Sequence, residues 1–318
     1  MENDTKNSSQ ISKTLLLINS LLVVLVIGMV ILVSNSLQNH EVALQASLIQ
    51  SQEPLHNMFD TLSLQGKAIY VYDVAEKKVI FQKNAQIQLP LASLTKLMMA
   101  LVATNLAPPD THITIKKSYL SADGDNGLVV GETWSMKDLL DFSLVVSSND
   151  GARSLASAIG STIFHTDDID IGRKNFISKM NEEAQTLGLT QTYFINENGL
   201  DVGNLSGGYG SAENISKLLD YMITKKPQIL EATKKSSTKF ASATNNHTAK
   251  NTDTIVTDIP GLIASKTGYT DLAGGNLAIA FDAGVQRPLI IVVLGSTEAG
   301  RFTDMSQLVK ASIAYIKE

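Results

Sequence analysis

Ser93 and Lys96 stand three residues apart in "LASLTKLMMALVA" (91–103), where Leu94, Leu97, Met98, Leu101 and Val102 recur at helical spacing behind Pro90. Three residues apart on a helix means one shared face, so an ammonium sits beside a hydroxyl at the head of an oily segment. A serine hydroxyl attacks poorly until a base removes its proton. Lys96 is placed to be that base only if its amine is uncharged. Against an ordinary value of about 10.4, working near pH 7 requires a drop of roughly 3.4 pH units, or about 4.6 kcal/mol. Burial lowers a lysine pKa, and a second cation nearby lowers it further. The sequence should therefore supply that second cation.

Two further stretches complete the set. "SLVVSSNDGA" (143–152) puts Ser147 and Asn149 after an apolar run, and "ASKTGYTDLAGG" (264–275) puts Lys266-Thr267-Gly268 on an expected strand. Lys266 is the candidate second cation. Gly268 lets a substrate backbone lie close to the strand edge. Each triplet alone is ordinary loop or strand. S-x-x-K, S-x-N and K-T-G in this order, on helix, turn and strand, form the signature of penicillin-recognising serine enzymes. The likeness extends beyond the triplets. "VYDVAEKKVIFQKNAQIQLPLASLTKLMMALVA", "MNEEAQTLGLTQTYFINENGLD" and "SKTGYTDLAGG" resemble, in turn, the hairpin before the nucleophile, an N-x-x-G-L-D turn and the third-motif strand with its following loop. These belong to the low-molecular-mass penicillin-binding proteins, the serine D-alanyl-D-alanine carboxypeptidases, and the resemblance runs from about Gly66 to Lys317.

That resemblance implies a role for each residue. Ser93 attacks the carbonyl of the terminal D-Ala–D-Ala bond of a peptidoglycan stem peptide, with Lys96 as base. Ser147 relays a proton toward the leaving D-alanine, between Lys96 and Lys266. Asn149 orients Lys96 and the substrate amide. Lys266 and Thr267 meet the terminal carboxylate, and the backbone N–H groups of Ser93 and Tyr269 form the oxyanion hole. Arg301, in "EAGRF", is a further carboxylate ligand or else an exposed charge at a helix start. β-Lactams are implied as covalent inhibitors, and neither a cofactor nor a metal is expected.

The elements that position these residues follow from periodicity. "KAIYVYD" (67–73) and "KKVIFQK" (77–83) alternate as a β-hairpin. Residues 137–160, 172–188 and 214–223 are expected helices, "GLIASKTGY", "NLAIAFDAG" and "PLIIVVLGS" expected strands, and 301–317 a closing helix. Strands from both ends of the chain make one antiparallel sheet flanked by helices, and the helical middle packs as a second lobe. This is an α/β fold of the α+β kind, which the resemblance makes β-lactamase/transpeptidase-like. From Thr14 to Asn39 no charge appears, Leu15–Val33 is almost wholly aliphatic, Lys6 and Lys13 precede it, and no Lys or Arg follows until Lys67. Nineteen helical residues span about 28 Å, close to the ~30 Å hydrocarbon core. The expectation is a cytoplasmic tail (1–13), a single-pass anchor (14–36), a stalk (37–60) and an extracytoplasmic catalytic domain (61–318) on the cell membrane. The competing reading is a long signal peptide cut near Ser34-Asn35-Ser36. The anchor would replace the C-terminal β-rich domain and amphipathic helix of many relatives, which this sequence does not include.

A formal charge of -5 gives no basic excess for nucleic acid, the five histidines lack metal-ligand spacing, and the absence of cysteine excludes disulfides. Asp123 and Asp125 in "SADGDNGLVVGE" fall one residue short of a calcium loop, and "HTDDID" (165–170) reads as an exposed turn. Ser148 stands where the resembled family often has glycine. Two other functions compete. A serine β-lactamase would need a deacylating glutamate, for which Glu183 is the candidate. A non-catalytic wall-associated scaffold would not need Ser93, Lys96, Ser147 and Lys266 together.

Overall fold

The computed structural model describes Met29 and residues 32–38, 58–120 and 127–317. It divides into Met1–Asn57 and Met58–Glu318. In the first unit, residues 32–38 are helical and exposed. The expected tail, most of the expected anchor and most of the stalk lie outside the described residues. No described helix is long and apolar enough to cross a membrane.

The second unit is built on a five-stranded antiparallel sheet. Its strands are β1 (Ala68–Asp73), β2 (Lys78–Lys83), β3 (Leu262–Thr270), β4 (Gly274–Asp282) and β5 (Pro288–Ser296), in the order β3-β4-β5-β1-β2. Strands from the two ends of the sequence do meet here, through the pairing of Ile69 with Val293. Alternation along the strands serves both faces. Ile69, Val71, Leu277, Ile279, Ile291 and Val293 face the closing helix α6 (Gly300–Lys317) through Met305 and Leu308. Ala68, Tyr70, Ala278, Ala280, Ile290 and Val292 face the helical lobe. The Asp304 carboxylate pins these parts together, accepting from Gln65 N at 3.0 Å, Gly66 N at 2.8 Å and Ser296 Oγ at 2.8 Å. Phe59 is buried and stacks on Phe81 at 4.9 Å. Residues 58–60, at the end of the expected stalk, therefore pack with this unit.

The lobe contains α1 (Thr95–Leu106), α2 (Met136–Val145), α3 (Asn149–Ile163), α4 (Ile169–Thr186) and α5 (Ala212–Lys225). Every residue of α1 from Thr95 to Ala103 is buried. A helix surrounded on all sides suits an apolar stretch interrupted by one lysine. The expected helix over 137–160 is two helices. The chain breaks at Val146–Ser148, where Ser147 has φ 59°. The strained residue is thus Ser147. Ser148, at φ -60°, is the N-cap of α3 and its hydroxyl accepts from Gly151 N at 2.9 Å. Asp168 of the "HTDDID" turn likewise caps α4. A hairpin of Ser237–Ala241 and Asn246–Lys250 is absent from the sequence expectations, because polar residues fill both strands and each buries one full side chain. Asp123 and Asp125 lie outside the described residues, and among the described residues no acidic or histidine cluster could hold a metal.

Candidate active site

Ser93 sits in a 3-10 turn, Ala92–Leu94, at the head of α1. Ala92 has φ 48°, a left-handed value uncommon outside glycine, and turns the backbone so that the next residue is only half buried. Lys96 is fully buried. Its Nζ lies 2.8 Å from Ser93 Oγ, 2.7 Å from Asn149 Oδ1 and 2.8 Å from the Asn198 carbonyl. An uncharged amine has two hydrogens and one lone pair. The two carbonyl oxygens take the hydrogens, which leaves the lone pair to receive the Ser93 proton. Burial first, and then the charge of Lys266, push the Lys96 pKa well below its ordinary value, while Glu197 pulls it back up. Lys266, the residue expected as the second cation, thus lies close enough to act on the Lys96 amine.

Lys266 is also buried. Its Nζ donates to Ser147 Oγ and to the Thr267 carbonyl, each at 2.9 Å. Burial, then the neighbouring Arg301, bring its pKa down from 10.5 to about 7, against an upward pull from Asp253. The left-handed turn at Ser147 delivers the hydroxyl to Lys266. Among the described residues no hydrogen bond joins Ser147 to Lys96. The Thr267 hydroxyl meets that of Thr252 at 2.6 Å.

Gly268 has a packing reason beside the one expected. A Cβ there would lie 2.9 Å from the Leu91 carbonyl oxygen, 3.2 Å from Ser93 N and 3.3 Å from Ala92 Cβ. Its bareness lets β3 press against the nucleophile turn. Asn276 holds the same junction from β4, donating to the Pro90 carbonyl at 3.0 Å and accepting from Gly295 N at 2.8 Å. Arg301 is not an exposed charge. It is 7% exposed, donates from Nη1 to the Gly268 carbonyl at 2.8 Å, and lies 4.7 Å above the Phe302 ring and 6.0 Å from that of Tyr269. The Tyr269 side chain itself is exposed.

The turn Asn196–Asp201 supplies what motif reading missed. Asn196 braces it by accepting from Gly199 N at 2.7 Å and donating to the Leu200 carbonyl at 2.8 Å, and Asn198 offers its carbonyl to Lys96. Gly199, at φ 86°, passes so close to Ala92 that a Cβ would collide with the Ala92 carbonyl. Asp201 ties the turn to β3 through Thr270 Oγ1 at 3.1 Å. The N-x-x-G-L-D pattern carried this segment's position, but backbone acceptors have no side-chain signature. Glu183 falls elsewhere. It lines a surface cleft with Asn105 and Leu106, and Asn105 is about 14 Å along α1 from Lys96 at 1.5 Å per residue. The deacylating role considered for it is overturned.

A mixed sheet-and-helix fold with serine, two buried lysines and a K-T-G strand at one junction defines a serine acyl-transfer enzyme. The D-alanyl-D-alanine carboxypeptidase family of serine peptidases, S11, matches residues 55–298, and the chain belongs to that family. Its activity is that of a serine D-alanyl-D-alanine carboxypeptidase, a hydrolase. It is similar to the D-alanyl-D-alanine carboxypeptidase DacB2 of Mycobacterium tuberculosis, at 28% identity over 72% of this chain and 75% of that protein. A D-alanyl-D-alanine endopeptidase of Haemophilus influenzae is 32% identical over 67% of this chain and 69% of its own length. Among solved structures, ampicillin-bound penicillin-binding protein D2 of Listeria monocytogenes superposes with a TM-score of 0.67 at 28% identity, covering 79% of this chain and 98% of that one.

Proposed function

We propose that this carboxypeptidase works through an acyl-enzyme on Ser93. The observation that carries the reading is the Lys96 amine, buried and 2.8 Å from the Ser93 hydroxyl with its other two partners both carbonyl oxygens. In the forward step the Ser93 proton passes to Lys96 as Oγ bonds to the carbonyl carbon of the penultimate D-alanine. The developing oxyanion is met by the N–H groups of Ser93 and Tyr269. The C–N bond then breaks as the proton that Lys96 took from Ser93 is relayed by Ser147, whose hydroxyl accepts from Lys266 at 2.9 Å, to the departing amine of D-alanine, leaving Lys96 uncharged again. Water hydrolyses the ester, releases the shortened peptide and restores the Ser93 hydroxyl. Lys266, Thr267 and Arg301 bind the terminal carboxylate, and Asn149 holds Lys96 and the peptide amide. The same steps cleave a cross-linked peptide when the leaving amine belongs to a second stem, so the ratio of released D-alanine to separated dimers measures endopeptidase action.

β-Lactams present the same carbonyl and carboxylate, and their opened ring stays attached to Ser93. The apolar run 14–36, with Lys6 and Lys13 before it, supports a single-pass anchor that holds the catalytic unit on the outer side of the cell membrane. Intact-mass measurement after penicillin treatment tests the nucleophile: the wild type gains one adduct and Ser93→Ala gains none. Equal modification of the alanine variant refutes the assignment.

A further inference from the structure

A buried carboxylate beside the catalytic lysine has no part in those steps. Glu197 is fully buried and immediately precedes Asn198, whose carbonyl receives a Lys96 N–H at 2.8 Å. Burying a carboxylate is unfavourable unless it is paired. Its partner is Arg173 on α4, whose Nη1 lies 3.2 Å from Oε2 and 3.5 Å from Oε1. Arg173 also stands 3.7 Å from the exposed Asp170, so the guanidinium bridges the protein surface to a carboxylate at the rear of the site.

The charges around Lys96 come from several elements. From β3 comes Lys266, itself faced by Arg301 of α6 and by Asp253. The first turn of α3 carries Asn149 and Asp150, and the Asn196–Asp201 turn carries Glu197. Of these, Lys266 opposes a charge on Lys96 and Glu197 favours one. Arg173 offsets the Glu197 charge without touching the amine.

We infer that Arg173 and Glu197 are positioning residues for Lys96: the pair clamps the Asn196–Asp201 turn so that the Asn198 carbonyl meets the amine, and its charge balance sets the pH at which that amine can accept the Ser93 proton. This rests on Lys96 being the base. The pair acts through Lys96 and touches no reacting atom.

The acid limb of the pH profile for acylation by fluorescent penicillin, measured on the full chain, reads the protonation of the free enzyme. Glu197→Gln keeps the shape of the side chain and removes its charge, so the acid limb moves down by about 1 pH unit. Arg173→Met removes the arginine that pairs with the carboxylate, so the Glu197 charge acts on Lys96 without that offset, and the limb moves up by about 1 pH unit, a loss of roughly tenfold on the acid side. The double variant Arg173→Met/Glu197→Gln, lacking both charges, returns the limb to the wild-type midpoint or below it, and Arg173→Lys leaves it in place. Lys96→Met is the control. If Lys96→Met is inactive but the Glu197→Gln and Arg173→Met profiles superimpose on the wild type, this inference is overturned and the acylation scheme stands. If Lys96→Met acylates as fast as the wild type, the scheme itself fails.

Discussion

Lys266→Met should stabilise the protein most at low pH, and by an amount that shrinks as pH rises. Burial, then Arg301, lower the folded-state pKa of Lys266 from 10.5 to about 7. At about 1.36 kcal/mol per pH unit, holding the charged form in the folded protein costs about 5 kcal/mol. The unfolded chain keeps its proton up to about 10.5. Between the two values the unfolded state therefore binds more protons, and stability rises with pH. Below about pH 7 the full penalty applies, and it is relieved progressively above that. Between about pH 6 and pH 9 this one group should add roughly 2–3 kcal/mol to the wild type. Lys266→Met has no such group, and its loss also relaxes Lys96, which further flattens the pH dependence. Urea unfolding of both proteins across this range measures the difference. A gap between wild type and variant that stays constant from about pH 6 to pH 9 would refute a buried, proton-releasing Lys266.

Two other substitutions separate site geometry from scaffold. Gly268→Ala places a Cβ 2.9 Å from the Leu91 carbonyl oxygen and 3.2 Å from Ser93 N, both backbone atoms that cannot swing aside; a displaced nucleophile should slow acylation about 100-fold while unfolding stays cooperative. A rate within twofold of wild type would show that β3 is free to retreat. Asp304→Asn replaces a carboxylate whose two oxygens accept from Gln65 N, Gly66 N and Ser296 Oγ; it should lower stability by about 2–3 kcal/mol in urea unfolding and leave the acylation rate of the folded fraction unchanged. A loss of rate without loss of stability would contradict its purely structural place.

The serine and the two lysines that the structure brings together were legible because the chemistry proposed for each needs its neighbour. An ammonium next to a serine demanded burial and a second positive charge, and both are present. The strands at both ends of the chain were legible for two reasons: the inner ones bury both faces and read as apolar β-branched runs, whereas the edge strand β2 alternates because one face stays open to solvent. Three things were not, or not wholly. The break at Val146–Ser148 was only half legible: the S-x-N motif marks a turn, but the apolar periodicity of 137–160 runs straight through Ser147, whose left-handed φ makes the break. The part played by Gly268 depends on which backbone approaches it, and only the fold brings Leu91 there. The Asn198 carbonyl is a backbone group, so no residue type announces it.

Lys96 and Lys266 are both buried amines with a carboxylate nearby, yet the proposed reaction asks opposite things of them. Lys96 lies near Glu197, which Arg173 pairs, and Lys266 lies near Asp253 and Arg301. Burial raises the Asp253 pKa, so that carboxylate resists the charge that would hold Lys266 protonated. With both lysines buried and each repelling the other's proton, the two cannot readily be charged together. A substrate carboxylate arriving at Lys266, Thr267 and Arg301 supplies the missing negative charge at that end. It holds the proton on Lys266, and the charged Lys266 then keeps Lys96 uncharged beside Ser93. On the proposed scheme, recognition of the terminal carboxylate and readiness of the base are a single electrostatic event, so a peptide amidated at its C-terminus should lose acylation rate as well as affinity.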